Sequence, residues 1–186
     1  MVSLITFFLF RSPGHSIHED RACRHRSIAR VILISHNTFT PQLGTCLPGV
    51  VYEGRASVYG LATDHEGRIL ACRRGGDRVV LPGGGLEEEE AEEDALCREV
   101  AEETGYQVLA VRSLCRAWQY HNHRFAKPPV NKHCHFFIMV VARTPSSPAE
   151  ADHVPHWLDP GELIASLTFE SHRWAVRVLR GMVTPR

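Results

Sequence analysis

The chain has 186 residues, 44% hydrophobic and 23% charged, with 21 Lys and Arg against 21 Asp and Glu. That length suits one domain with a sizeable core, and a balanced charge excludes a general nucleic-acid binder, which needs a basic face. Six dispersed cysteines (Cys23, Cys46, Cys72, Cys97, Cys115 and Cys134) include no C-x-x-C pair. This argues against a zinc knuckle or disulfide framework and for reduced thiols in a cytoplasmic protein.

The apolar run at residues 2–10 is far short of a spanning helix of roughly 20 residues. It also lacks the basic residues before it and the small residues after it that mark a signal peptide, so no membrane partner is expected. Residues 1–48 hold five arginines and two acids with no sustained period and read as a poorly ordered extension. The folded domain is expected over residues 49–186.

Within that domain ASVYGLAT (56–63) predicts a buried strand, DHEG a turn, and RILACRR (68–74) a second strand. After a GGD turn, RVVLP (78–82) predicts a third, broken by Pro82 and the glycines Gly83, Gly84 and Gly85. Residues 91–104 contain no Gly or Pro and stop at Gly105, which predicts a helix. YQVLAVRSLCRAWQY (106–120) and HCHFFIMVVA (133–142) predict two further strands. A Pro- and Ala-rich linker (144–155) then leads to a short strand at HWL and two helical segments, PGELIASL and SHRWAVRVLRGMV. Strands on both sides of a central helix, with helices at the end, indicate an α/β domain on a mixed sheet.

The central helix carries an excess of acid, with ten carboxylates in the 24 residues from 83 to 106. The helix dipole favours acids in the first turns, so a solvated face accounts for Glu87, Glu88, Glu89, Glu90, Glu92, Glu93 and Asp94. Glu99, Glu102 and Glu103 are different. They stand at i, i+3 and i+4 near the helix C-terminus, where both the dipole and their mutual repulsion oppose them. A hard divalent cation would reverse that penalty.

The order of residues then carries more than their charge. Gly84, Glu90, Arg98, Glu99, Val100, Glu102, Glu103 and Gly105 fit the pattern G-x5-E-x7-R-E-U-x-E-E-x-G-U, where U is a bulky aliphatic residue, with Tyr106 as the one departure. This stretch, with LACRR and LPGGG before it, resembles the Nudix hydrolase family (MutT-related) from about residue 50 to residue 183. Ala91 stands where such helices often begin on a Ser or Thr cap.

The resemblance implies a Nudix-type α/β/α sandwich on a mixed sheet and hydrolysis of a nucleoside diphosphate linked to another group, with Mg²⁺ or Mn²⁺ as cofactor. It implies catalytic roles for Glu99, Glu102, Glu103 and Arg98, and metal ligation by Glu99, Glu102, Glu103 and the Gly83 carbonyl. Glu99 matches either a ligand or a general base, Arg98 its orienting partner, and Glu90 a structural residue. Arg74 resembles a phosphate-contacting arginine, and an acid after the box, Glu150 or Asp152, could join the site. Trp118 and Tyr120 share a strand face, from which either could stack on a nucleobase or pack in the core. His121, His123, His133 and His135 more often line a polar pocket than bind zinc. Positions 122 to 124 hold Asn122, His123 and Arg124, without the proline of ADP-ribose hydrolases or the tyrosine of dinucleoside polyphosphate hydrolases. The partner implied is a small nucleotide; a homodimer is left open. The alternative is a nucleotide-sensing module of the same fold, although such modules commonly lose the glutamates retained here.

Overall fold

The computed structural model describes residues 40–76, 78–122, 128–143 and 152–181. Eleven elements follow in order: β1 (Gln42–Leu43), β2 (Glu53–Leu61), β3 (Ile69–Arg74), β4 (Arg78–Val80), β5 (Gly83–Gly85), α1 (Glu92–Thr104), β6 (Tyr106–His121), β7 (Val130–Arg143), β8 (His153–Leu158), α2 (Pro160–Ser166) and α3 (Glu170–Leu179).

A five-stranded mixed sheet runs β1-β6-β7-β2-β5, and a three-stranded antiparallel sheet runs β4-β3-β8. The long strands β6 and β7 pair antiparallel, whereas β2 runs parallel to β7. Because layers cover both sides of the central sheet, residues 57–61 of β2 are buried without a break, as expected of a doubly covered strand. Their parity still sorts them. Val58 joins Leu96, Val100, Phe137 and Met139 on the α1 side. Tyr59 and Leu61 join Phe136, Leu163, Ala175 and Val176 on the α2–α3 side. The result is the α/β/α sandwich on a mixed sheet that the sequence leads one to expect.

The helix starts one residue after Ala91, which offers no side-chain cap, and closes on Gly105 in the left-handed conformation (φ 69°), where glycine avoids a Cβ clash. Three expectations change. The three glycines do not merely end a strand; they are one, pairing antiparallel with Ser57, Val58 and Tyr59 of β2. β8 takes in His153, Val154 and Pro155, which had read as linker. Finally, β1 lies upstream of residue 49, pairing with Trp118 and Gln119 of β6 and packing Leu43 on the core. The sheet therefore starts inside the supposed extension, because two backbone pairings need no apolar run to announce them. Residues 1–39 and their expected disorder lie outside the described residues. Of the described cysteines, Cys46 and Cys97 are exposed and Cys72, Cys115 and Cys134 buried; Cys23 is outside the described residues. No helix among these residues is long and apolar enough to cross a membrane.

Candidate active site

The site forms where β5 passes under the second half of α1. Gly83 adopts φ 135°, and a Cβ there would collide with the Val58 carbonyl. A residue without a side chain is thus required for β5 to reach β2. Its N–H donates to Glu103 Oε2 at 2.9 Å. Next door, a Cβ on Gly84 would occupy the space of the Glu99 carboxylate. The glycines bring a strand and an acidic helix into direct contact.

Arg98 gathers the acids on the open side. Its Nε and Nη2 each donate at 2.8 Å to the two oxygens of Glu90, and its Nη2 also reaches the Gly85 carbonyl at 3.2 Å. Nη1 lies 3.0 Å from Glu99 and 3.5 Å from Glu102. The paired hydrogen bonds from Arg98 hold the Glu90 carboxyl at about 2, well under its usual 4.5, and Arg98 in turn is pushed further up. Glu90 also accepts the Glu87 N–H at 2.9 Å, tying the loop before α1 to the box. Its expected structural role fits this placement.

The three acids expected on one side of the helix separate. Glu102 is 41% exposed, but Glu103 is only 1% exposed, with its Oε1 3.2 Å from Arg74 and 3.6 Å from His153. The cause is helical period. Glu103 continues the buried stripe of Leu96 and Val100 at i, i+4 and i+7, so it points between helix and sheet. Glu99 and Glu102 face outward with Arg98. Among the described residues no three His, Cys, Asp or Glu side chains are gathered as a ready metal set.

Glu99 and Glu102 line a cleft of about 660 Å³ that also presents Arg55, Arg74, Arg78, Arg98 and Lys132. Among the described lining residues, five cations stand against three carboxylates, Glu99, Glu102 and Asp152, which makes a basic space able to receive a polyanion. Tyr59, Phe169 and His121 add rings to the wall. Arg74 lies in this lining as expected, although already paired with Glu103. Asp152 lies there too, 3.0 Å from His153 Nδ1, while Glu150 falls outside the described residues.

Trp118 and Tyr120 are not brought to the cleft. Strand parity puts them on the face of β6 opposite His121, where Trp118 stacks on His133 with ring centres 4.6 Å apart and Tyr120 meets Tyr52 in a tilted contact at 4.6 Å. His133 and His135 share a face, yet each has other work. His135 lies 2.7 Å from both Glu92 and Ser113, and burial pushes its pKa down. His123 is outside the described residues. Glu92 departs from the solvated reading as well, since both its oxygens receive Arg116 at 3.0 Å. Arg55, Arg78, Lys132 and Phe169 were not singled out from the sequence. The parity of Arg55 with Ser57 and Tyr59 is the one signal that pointed to the cleft.

The family model of the NUDIX domain matches residues 54–179. Solved structures agree in fold. A MutT protein from Methanosarcina mazei superposes with a TM-score of 0.56 at 20% identity, covering 72% of this chain and 98% of its own. A MutT NUDIX hydrolase from Burkholderia pseudomallei gives 0.54 at 23% identity, covering 68% and 98%. A NUDIX hydrolase from Nitrosomonas europaea gives 0.56 at 17% identity, covering 70% and 90%. Comparison with curated proteins finds no match.

Proposed function

The chain belongs to the Nudix family of pyrophosphohydrolases, and from that premise we propose that it cleaves the pyrophosphate linkage of a nucleoside diphosphate joined to another group, using water and Mg²⁺ or Mn²⁺. The observation that carries this reading is the cleft itself, in which the Glu99–Glu102 pair faces a wall of arginines and a lysine.

The donor chemistry fits a hard cation. Glu99 and Glu102 offer carboxylate oxygens on one helix face, beside the β5 backbone that includes the proposed Gly83 carbonyl ligand. A bound divalent cation supplies charge neutralisation at the pyrophosphate and lowers the pKa of water. Glu103, held by the Gly83 N–H and Arg74, serves better to fix the spacing of β5 and α1 than as an open ligand.

The remaining work falls to side chains. Arg98 holds Glu99 and Glu102 side by side. Arg74, at the lip of β3, can shift its free donors to a phosphate oxygen while retaining Glu103. As general base, Glu99 would accept the proton of the attacking water; as a ligand, it would instead help to hold the cation, and the proton would pass to solvent. The water oxygen bonds to one phosphorus, the bridging P–O bond breaks, and two phosphate-bearing products leave.

A hydrolysis panel of nucleoside triphosphates, nucleotide sugars, ADP-ribose and dinucleoside polyphosphates, with Mg²⁺ or Mn²⁺, tests this. Cleavage of at least one member at a pyrophosphate bond is expected. Tight nucleotide binding with no cleavage of any member would turn the reading to a sensor. A chain starting at Thr40, which keeps β1, should match the full chain; lost activity would give residues 1–39 a role.

A further inference from the structure

Arg55 of β2 and Lys132 of β7 are direct partners in the parallel ladder. Ladder partners share a sheet face, and like charges placed so destabilise the pairing. The cleft contains a second such pair, Arg74 and Arg78 across β3 and β4, but there Glu103 answers Arg74 at 3.2 Å. Among the described residues no carboxylate comes within 4.0 Å of Arg55 or Lys132. Among the described residues, the two cations are thus paired across the ladder without a carboxylate partner.

The surroundings fix these groups rather than neutralise them. Lys132 Nζ donates to the Tyr59 hydroxyl at 3.0 Å and lies 5.0 Å from the Phe169 ring centre and 5.7 Å from that of Tyr59. Such rings hold an ammonium but bring no net charge. Burial pulls the Lys132 pKa down and Arg55 adds to that, but the net direction is up, chiefly through Tyr59. The Arg55 guanidinium lies over Gly85, where a Cβ would come within 2.6 Å of Nη2. Both residues line the cleft that holds Glu99 and Glu102.

We propose that Arg55 and Lys132 form an anion subsite that grips a phosphate group of the substrate across the cleft from the Glu99–Glu102 pair. This rests on the hydrolase reading for the identity of the anion, but not for its existence. Cross-strand repulsion is relieved when the phosphate arrives, so the arrangement favours occupancy over emptiness. The substrate class then carries a phosphate within reach of this sheet face as well as at the box.

Inorganic pyrophosphate, titrated calorimetrically into the full chain without divalent cations, tests the subsite directly. The wild type should bind it and melt at a higher temperature with it. Arg55→Gln and Lys132→Met should each weaken binding about tenfold, as expected for loss of one charged hydrogen-bond partner, and the double variant should abolish the thermal shift. Without pyrophosphate, Arg55→Gln should melt no lower than the wild type, because the repulsion is gone; this variant keeps the test open if Lys132→Met folds poorly. For any compound the enzyme cleaves, KM should rise more than kcat falls. Variant-sensitive pyrophosphate binding without cleavage of any compound would preserve the subsite and remove the hydrolase reading. Unchanged pyrophosphate binding and KM in both variants, with hydrolysis intact, would overturn the subsite alone.

Discussion

The two ends of α1 carry similar acids and use them differently. At the first turn, Glu92 is gripped by Arg116 of β6 and approached by His135 of β7, which fastens the helix to the sheet. At the last two turns, Glu99 and Glu102 share Arg98, a residue of their own helix, and look into a basic cleft. A carboxylate whose counter-ion comes from another element acts as a tether. One whose counter-ion comes from its own helix leaves the facing space available to something else. Glu103, with Arg74 and the Gly83 N–H, belongs with the tethers despite its place in the box.

This division sets the size of each substitution's effect. Glu99→Gln and Glu102→Gln should lower kcat by roughly a hundredfold or more, as for loss of a group acting in the transition state. Equilibrium urea unfolding should meanwhile show nearly wild-type stability. Equal loss of stability would place these two among the tethers. Glu103→Gln should cost about 2 kcal/mol in the same unfolding measurement, because a buried charged hydrogen bond to Gly83 and the partner of Arg74 both go. A stable Glu103→Gln protein would show that its burial carries no structural load. Glu92→Gln should cost about 0.5 to 1 kcal/mol, typical of a partly exposed pair, with turnover unchanged. Glu93→Gln, for which no ion pair is found among the described residues, should change neither by a measurable amount.

The smallest measurable effect is a pH dependence at the loop before α1. Arg98 holds the Glu90 carboxyl at about 2, below its usual 4.5. A depressed carboxyl stabilises the fold above its unfolded value and loses that contribution as pH falls from 4.5 towards 2. Stability followed across this acid window should therefore fall less steeply in Glu90→Gln than in the wild type. Parallel curves would remove Glu90 from the Arg98 cluster.

The fold was legible where period and punctuation agree, as in β2, β6, β7 and the helix between Ala91 and Gly105. It was illegible where pairing depends on remote backbone. β5 has no side chains to show alternation, and β1 consists of two residues defined only by Trp118 and Gln119. The box was legible through its spacing, but spacing alone assigned Glu103 to the acidic face, because i+4 from Glu99 outweighed i+3 from Val100. The same stripe that buries Leu96 would have buried it too. Trp118 was misplaced because sharing a face with Tyr120 does not reveal which face lines the cleft. Lys132 and Arg55 escaped notice because ladder register is a tertiary property, invisible until β2 and β7 are paired.

Arg98 also bears on how the protein can be handled at the bench. With one guanidinium reaching Glu90, Glu99 and Glu102, the helix carries a built-in counter-ion that neither dialysis nor EDTA can strip away. Purification in chelator should therefore yield folded material, to which Mg²⁺ and Mn²⁺ can be added separately for comparison.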